Sequence, residues 1–269
     1  MTTPQQTPQQ QARLEAIKKN WQQKRQITQN LSQIKNKIGV YSGKGGVGKT
    51  TAAVNIATLL AEKGCKVGLL DVDIDCPNVT KALGISDRPK HENGILIPSE
   101  RFGVKVISMA FFQQQEEEAI IWRGPMISNA INQFLQMTEW GDLDYLIVDL
   151  PPGTSDSPLT VMQTVPLDGF VVITTPQLLA KLDAKRCINM IRKLNIQVLG
   201  IVENYSGEIF GYGAGEDLAR EMSLPFLGSL ELRADYRDET QPTVLSSQAV
   251  HAEYGYIVDN MIDRLQPSD

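Results

Sequence analysis

Short apolar runs rich in Val, Ile and Leu alternate with segments of helical period along most of the 269-residue chain. The apolar runs predict one strand that begins near Lys37 and contains Ile38 to Tyr41, and others at 66–70, 104–109, 144–150, 169–174, 198–202 and 225–227. Helical spacing of apolar residues predicts helices at 51–63, 126–137, 178–194, 216–222 and 249–265. The alternation predicts an α/β fold, in which about seven or eight mostly parallel strands form a sheet with helices on both faces.

Polar segments separate these elements in three places. Residues 87–99 are interrupted by prolines and a glycine, residues 111–122 mix aromatic side chains with glutamates, and residues 207–215 are rich in glycine. Such compositions are typical of turns and irregular structure. We therefore predict a loop at each of the three segments.

The amino-terminal segment differs in composition from everything that follows it. Residues 1–37 contain ten glutamines and seven Lys or Arg against one acidic residue, Glu15. Partial helical spacing of its apolar residues predicts a glutamine-rich, basic tail with a helix over 1–36, followed by a single domain over 37–269. The helix could bind a membrane surface or a partner. We favour a solvated arm that packs on the domain or on its dimer mate, so peripheral membrane contact is not expected.

Net charge and hydropathy disfavour two classes of protein. The net charge is −5 and no basic stripe crosses the body of the chain, which disfavours a dedicated nucleic-acid-binding protein. No apolar stretch approaches the roughly 18 residues of a membrane-spanning helix, and the amino terminus lacks the apolar core of a signal peptide. We therefore expect a cytoplasmic protein with no transmembrane segment.

The cysteines and histidines are few and scattered. Cys65, Cys76 and Cys187 are odd in number and have no CxxC spacing, so we predict reduced thiols, with Cys187 on a surface helix. The two histidines are His91, in a polar segment, and His251, near the final helix, so the sequence gives no support for a histidine-based metal site. Neither residue type therefore predicts a metal centre.

The segment GKGGVGKTT carries the clearest chemical signal, because it lies between a predicted strand and a predicted helix. It fits the P-loop pattern G-x-x-x-x-G-K-[ST], whose backbone amides surround phosphate oxygens. Glycine lets the main chain approach the anion where a Cβ would obstruct it. We expect Lys49 to reach the β and γ phosphates of a nucleotide and the Thr50 hydroxyl to bind Mg²⁺. The predicted nucleotide-binding residues here are Gly43, Gly45, Gly46, Val47, Gly48, Lys49, Thr50 and Thr51.

Carboxylates follow two of the predicted strands. Asp71 and Asp73 come directly after the strand at 66–70, and Asp149 ends the apolar run DYLIVDL. An aspartate at the end of a buried strand, downstream of a P-loop, has the form of a Walker B strand, and the PPG turn after it can sense a γ phosphate through its backbone. The predicted magnesium ligands are Thr50, Asp71 and Asp149.

Asn204 follows the predicted strand at 198–202, next to Glu203. Its side chain offers a donor and an acceptor side by side, which suits the edge of an adenine base. Asparagine is also a common turn residue. Asn204 is therefore a candidate for recognition of the base.

Lys44, directly after the first P-loop glycine, makes the sequence KGGVGKT, which resembles the deviant Walker A motif of the MinD/ParA group of ATPases. Within that group, the motifs SGKGGVGKTT, DVDIDCPN, WRGPM, DYLIVDLPPGTSD, TTPQ and VENYSG together are similar to the Mrp/ApbC family of iron-sulfur cluster carrier ATPases. The resemblance runs from about Lys35 to the final helix. It implies a P-loop NTPase fold of the MinD/ParA type.

The resemblance also implies an ATP-sandwich homodimer, in which Lys44 of one subunit reaches the phosphates bound by the other. Hydrolysis of ATP would then depend on dimerisation. Asp73 matches the residue that orients the attacking water, and Asn204 matches the adenine-binding residue. The residues assigned to catalysis are Lys44, Lys49 and Asp73; those assigned near magnesium are Thr50, Asp71 and Asp149.

The sequence departs from the family where the metal chemistry is expected. Members usually have a CxxC after the E-N-x-S stretch, and two subunits bind one iron-sulfur cluster through it; here Gly207 to Phe210 contain no cysteine. We therefore expect ATP and Mg²⁺ as ligands, and no iron-sulfur cluster held by the usual thiols. At most, Cys76 of two subunits could hold a labile cluster.

Three functions remain open on this sequence. The first is an ATPase of the iron-sulfur carrier family that carries a cluster by other ligands or assists an iron-sulfur scaffold or client protein. The second is a MinD/ParA-like switch that recruits a partner or positions cargo and carries no cluster. The third, a small-molecule kinase on the same fold, lacks an evident acceptor pocket in the sequence.

Overall fold

The computed structural model of the chain describes residues 8–112 and 124–265. Ten strands lie in these ranges. In chain order they are β1 Ile34–Ser42, β2 Val67–Asp71, β3 Lys90–Glu92, β4 Ile95–Ile97, β5 Ser99–Arg101, β6 Val104–Ser108, β7 Leu143–Asp149, β8 Gly169–Thr174, β9 Val198–Ser206 and β10 Phe226–Glu231.

Eight of these strands form one sheet in the order β10-β9-β8-β1-β7-β2-β6-β5. Every neighbouring pair is parallel except β5 and β6. Parallel neighbours bring their carboxyl ends to one edge of the sheet, which is where ligands bind in open α/β folds. The predicted α/β fold with a mostly parallel sheet is confirmed, and β1 occupies a central position between β7 and β8.

Helices cover both faces of the sheet. They are α1 Pro8–Leu31, α2 Lys49–Glu62, α3 Val79–Leu83, α4 Gly124–Met137, α5 Asp156–Thr164, α6 Leu178–Lys193, α7 Ala214–Met222, α8 Thr243–Ser246 and α9 Gln248–Leu265. One apolar cluster joins the sheet to α1, α4, α5, α6 and α7, and a second joins it to α2, α3, α8 and α9. Side chains of β1 alternate between the two clusters, since Tyr41 belongs to the first and Val40 to the second.

The segment 87–99 is not a loop throughout, contrary to the prediction. β3 and β4 form an antiparallel hairpin, and β5 adds to the main sheet as its edge strand. Asn93 and Gly94 form the hairpin turn with φ angles of 51° and 83°. An Asn-Gly pair is a strong hairpin signal, because both residues tolerate positive φ. Pro89 and Pro98 in the same segment favoured a loop, so the hairpin was not predicted.

Three other strands, β1, β9 and β10, extend beyond their predicted ends, and β10 continues to Glu231 rather than ending at Leu227. β1 begins at Ile34 rather than near Lys37, since Ile34 pairs with Leu143 of β7. β9 continues to Ser206 rather than ending at Val202, because polar residues in the extension are buried against partners described below. The loop predicted at 111–122 lies almost entirely outside the described residues.

The carboxyl-terminal end of α1 packs on α4. Ile27 and Leu31 are buried in the first apolar cluster, and the Asn30 side-chain amide donates to the carbonyls of Leu135 at 3.3 Å and Gln136 at 2.7 Å. Farther toward the amino terminus, Trp21 is 74% exposed. The tail therefore contacts the domain through its last turns, and the division at 36/37 stays a prediction. None of the helices in the described ranges has the length and apolarity needed to cross a membrane.

Candidate nucleotide site

The P-loop connects β1 to α2 at the carboxyl edge of the sheet. Gly46 and Gly48 have φ angles of 78° and 81°, which glycine adopts without strain. Gly48 is the residue that precedes the first turn of α2, so free amides at the start of that helix face the loop. A Cβ at Gly48 would overlap the side-chain amide of Asn204. The loop therefore needs its glycines both for backbone geometry and for close packing.

Lys49 lies between two of the predicted acids. Its ammonium group is 2.6 Å from Oδ1 of Asp149 and 3.3 Å from Oδ2 of Asp73, and its side chain is only 6% exposed. Burial alone would lower the pKa of Lys49, but the Asp149 and Asp73 carboxylates outweigh burial and raise it. The lysine is therefore held in its charged form, as contact with phosphates requires.

Thr50 and Asp149 provide oxygen atoms at the same place. The Thr50 hydroxyl donates to Oδ2 of Asp149 at 2.7 Å, while Oδ1 of the same carboxylate accepts from Lys49. Hydroxyl and carboxylate oxygens are the ligands that Mg²⁺ prefers, and it takes its remaining ligands from nucleotide phosphates and water. The donor set at Thr50 and Asp149 therefore fits magnesium bound together with a nucleotide.

Asp71 lies beside Asp149 but has other partners. The two aspartates are register partners on β2 and β7. Oδ2 of Asp71 accepts the Ser108 hydroxyl at 2.7 Å, and Oδ1 accepts the Asp73 amide at 3.1 Å. Burial and the Asp149 charge raise the pKa of Asp71. Its contacts brace the turn that carries Asp73, and its place as a magnesium ligand stays a prediction. Ser108 was not identified from the sequence, which gave no signal for it.

Asp73 reaches the site from the turn after β2. Its Oδ2 faces the Lys49 ammonium, and its Oδ1 accepts the Cys76 amide at 3.3 Å. Burial raises the pKa of Asp73, and the Lys49 charge opposes that shift. The structure thus brings Lys49, Asp73 and Asp149 together as the sequence predicted.

The Lys44 side chain contacts the residue before α6. Its ammonium group is 3.4 Å from Oε1 of Gln177, and among the described residues no ion pair joins it to Asp71, Asp73 or Asp149. The backbone of Gly43 packs so closely on α6 that a Cβ there would overlap the main chain of Asp183. Lys44 is thus held at the start of α6, apart from the ion pairs that Lys49 makes.

Asn204 ties β9 to the P-loop. Its side-chain amide donates to the Val47 carbonyl at 2.8 Å, and the residue is buried. Beside it lies a cavity of about 430 Å³. The cavity is lined by parts of α2, the end of β9 and the segment 236–243, including Thr51, Asn55, Asn204, Tyr205, Tyr236 and Thr243. A cavity of this size next to a P-loop has room for a base and ribose.

The sequence analysis missed two residues that shape this region. Tyr205 lines the cavity with a φ of 60°, a conformation that non-glycine residues rarely adopt. Glu203 is buried and accepts from the Ser206 hydroxyl at 2.8 Å and from the amides of Gly213 at 2.9 Å and Gly215 at 2.6 Å. Its carboxylate therefore fixes the start of α7. Position next to Asn204 was the only sequence signal for either residue.

The place of the usual CxxC is a short, closed loop. Gly207 and Gly211 exchange backbone hydrogen bonds of 3.0 Å and 2.7 Å. Between and after them, Ile209 is 76% exposed and Tyr212 is 68% exposed. Among the described residues, no group of three or more His, Cys, Asp or Glu side chains is arranged to hold a metal ion.

The three cysteines are distributed through the fold. Cys76 is exposed after β2, and Cys65 is partly buried before β2. Cys187 lies in α6, one of the helices that cover the sheet, and its side chain is buried. It sits on the face of α6 that packs against the sheet, next to apolar residues of the first cluster.

A P-loop with buried lysine and Walker B aspartate, at the carboxyl edge of a parallel sheet, defines a P-loop NTPase. Among solved structures, a nucleotide-binding protein from Archaeoglobus fulgidus in complex with ADP is 34% identical, with a TM-score of 0.71 over 81% of this chain and 90% of that chain. The cell division ATPase MinD from Pyrococcus furiosus has a TM-score of 0.67 at 20% identity over 86% and 99% of the two chains, which shows the fold alone.

The family model for ParA, described as NUBPL iron-transfer P-loop NTPase, matches residues 33–265. An iron-sulfur cluster carrier protein from Methanocaldococcus jannaschii is 41% identical over 261 residues, which cover 91% of this chain and 90% of that protein. The chain belongs to the ParA family of iron-transfer P-loop NTPases. The comparisons therefore favour the carrier-family interpretation over the MinD/ParA-like positioning switch.

Proposed function

We propose that the chain is a dimer-dependent ATPase that serves iron-sulfur cluster transfer. The observation that carries the proposal is a cluster beside a cavity suited to a nucleoside, in which Lys49 contacts Asp73 and Asp149 and Thr50 contacts Asp149. Membership of the iron-transfer family supports a role of this nucleotide site in iron-sulfur cluster transfer. The substrate is ATP, and the products are ADP and phosphate.

Each residue has a defined part in this proposal. Lys49 neutralises charge on the β and γ phosphates, and the amides of the P-loop and of the α2 amino terminus bind the remaining phosphate oxygens. Mg²⁺, when bound at Thr50 and Asp149, neutralises phosphate charge. Asp73 orients water toward the γ phosphate, and its contact with Lys49 holds it on that side of the site. Asn204 recognises the base.

A homodimer completes the site through Lys44. In this proposal the lysine of one subunit stabilises the phosphate charge in the other, an effect that arginine fingers make worth roughly 10³ to 10⁵ in rate. Its position away from the Lys49 cluster of its own subunit supports this arrangement. Exposed apolar side chains at the carboxyl edge also support association, since burial of such residues stabilises interfaces. They are Leu178, Leu179, Ile209 and Tyr212.

The role in cluster transfer differs from that of a carrier with a CxxC. The loop from Gly207 to Gly211 contains no thiol, so the chain acts as a nucleotide-driven partner of an iron-sulfur scaffold or client rather than holding the cluster by the usual ligands. We place this activity in the cytoplasm and expect no nucleic-acid partner.

The rate of ATP hydrolysis per subunit, measured over a range of protein concentrations, tests the proposal. Dimer dependence predicts that the specific rate rises with concentration and then levels off. A constant specific rate from well below to well above the dimer dissociation constant, determined by sedimentation, would contradict it. Iron and sulfide content of protein purified without oxygen tests the separate statement on the cluster.

A further inference from the structure

Buried side chains hold the loop between β7 and α5 through one of its carbonyl groups. The Tyr41 hydroxyl donates to the carbonyl oxygen of Gly153, and the Cys187 thiol is 3.8 Å from the same oxygen. Tyr41 belongs to β1 and Cys187 to α6, so two separate elements converge on this atom. Gly153 has a φ of 86°, which suits glycine and sets the turn of the loop.

Both donors are fully buried and remain protonated. Tyr41 and Cys187 have no exposed surface. Burial raises the pKa of the Tyr41 hydroxyl, and burial raises the pKa of the Cys187 thiol to about 11. The Tyr41 ring packs against Phe170 with centroids 6.0 Å apart, which fixes its direction. The hydroxyl is therefore a permanent donor in a fixed position.

The backbone amides of the loop are not equally available to a phosphate. Pro151 and Pro152 have no N–H group. The Gly153 amide donates to the Ser42 carbonyl at 3.0 Å. Within the described part of the chain, no hydrogen bond joins the Thr154 amide to another group, and Thr154 is exposed. Thr154 thus provides the first amide of this loop that can reach a ligand.

The hydrogen bonds to the Gly153 carbonyl also set the direction of the Thr154 N–H group. The peptide bond between the two residues is trans and planar, so its C=O and N–H groups point in opposite directions. The carbonyl points inward to Tyr41 and Cys187, and the N–H group therefore points outward. The same loop lies beside the P-loop, since a Cβ at Gly45 would lie 4.0 Å from the Pro152 ring.

We propose that Tyr41 is a positioning residue, whose hydroxyl orients the Thr154 amide for the terminal phosphate of ATP. The inference rests on the proposed ATPase function and adds a specific donor for the γ phosphate. Ser42 reinforces the arrangement, because its carbonyl binds the Gly153 amide while its hydroxyl donates to the Lys44 carbonyl at 3.0 Å. The P-loop and the loop after β7 are thereby joined through adjacent residues of β1.

The test compares ADP with a non-hydrolysable ATP analogue by calorimetry in the wild type and in Tyr41→Phe. This substitution removes only the hydroxyl. We expect ADP affinity to be unchanged and the preference for the ATP analogue over ADP to fall by roughly 10-fold, the scale of one hydrogen bond to a charged group. A purely structural role would weaken both nucleotides equally or lower only the melting temperature. Tyr145→Phe is the matched control, because Tyr145 lies near the amino end of β7, away from the carboxyl edge where Tyr41 lies.

A second pair of variants probes the weaker donor. Cys187→Ala combined with Tyr41→Phe should reduce the preference further, and Cys187→Ser in the same background should restore part of it by supplying a hydroxyl. An unchanged ratio in Tyr41→Phe overturns the inference and leaves the ATPase proposal intact if the wild type hydrolyses ATP. A wild type that binds both nucleotides equally also overturns the inference. A wild type that binds neither contradicts the proposed function itself.

Discussion

The Lys49 ammonium and the Asp149 carboxylate are 2.6 Å apart, and neither has appreciable access to solvent. Such a pair is costly to break on one side only, because the remaining charge is left buried without its counter-charge. Lys49 in addition faces Asp73, so one lysine compensates more than one acid. The same side chain therefore supports the fold and the predicted contact with phosphates.

Lys49→Ala should abolish ATP hydrolysis, weaken nucleotide binding and lower the free energy of unfolding by about 3 kcal/mol. The first two effects follow from loss of charge at the phosphates, and the third from buried carboxylates left unpaired. Steady-state turnover and denaturant titration measure them. Lys63→Ala is the control, since Lys63 pairs with Asp259 at the surface and should contribute less than about 1 kcal/mol. Unchanged turnover in Lys49→Ala would refute the P-loop assignment.

Lys44→Ala should bind ATP nearly normally and hydrolyse it slowly, because its cation is proposed to act across the dimer. Asp73→Ala should also be slow, since it lacks the group that orients water. In a mixture of the two variants, a heterodimer has one composite site with both residues intact, so activity should return to a fraction of the wild-type rate. Mixed subunits that stay as inactive as the separate variants, despite forming heterodimers, would rule out the arrangement.

Two truncations should separate the exposed part of α1 from the part that packs on the domain. Removal of residues 1–23 leaves Ile27, Leu31 and Ile34 in place and should change neither the melting temperature nor ADP affinity. Removal of residues 1–36 also deletes Ile27, Leu31 and Ile34, all buried. At about 1.5 kcal/mol or more for each apolar side chain, the loss should lower the melting temperature markedly. Equal stability of the two truncations would show that α1 contributes nothing to the core.

Purified protein should be colourless and contain magnesium with its nucleotide but no stoichiometric iron and sulfide. Cys187 is buried under the loop after β7, and Cys65 lies at the other end of β2 from Cys76, so only Cys76 is exposed to a partner. One thiolate from each subunit gives two of the four ligands that a cluster usually takes. Anaerobic reconstitution with spectroscopy, repeated on Cys76→Ser, measures this. A stable cluster at about one per dimer, lost in that variant, would overturn the prediction.

Local patterns in the sequence predicted the centre of this fold well. The P-loop between β1 and α2 and the aspartate that ends β7 both follow from short motifs whose chemistry depends on adjacent residues. The sheet followed from alternating apolar runs, because buried parallel strands have few polar positions. The position of Lys49, Asp73 and Asp149 at one edge of the sheet therefore follows from the sequence.

Long-range contacts account for what the sequence analysis missed. Glu203 and Asn204 continue β9 because their polar groups find partners at Gly213, Gly215 and Val47, which are distant in sequence. The strand propensity of single residues predicted an end at Val202, before these polar residues. The burial of Cys187 was not predicted, because the spacing of residues in α6 does not reveal which face of that helix meets the sheet. Contacts of this kind depend on tertiary packing, which local patterns do not encode.

The closed loop between Gly207 and Gly211 determines how temperature and dissolved salts affect association through this surface. Two of its exposed side chains, Ile209 and Phe210, are apolar, and Glu208 beside them is exposed and acidic. Attraction between apolar groups weakens on cooling and is strengthened by excluded salts such as sulfate. An association made through an iron-sulfur cluster held by cysteine thiols would depend instead on the oxygen level and on the supply of iron. Any association made through this loop therefore responds to temperature and solutes, and it remains possible in an oxidising cell.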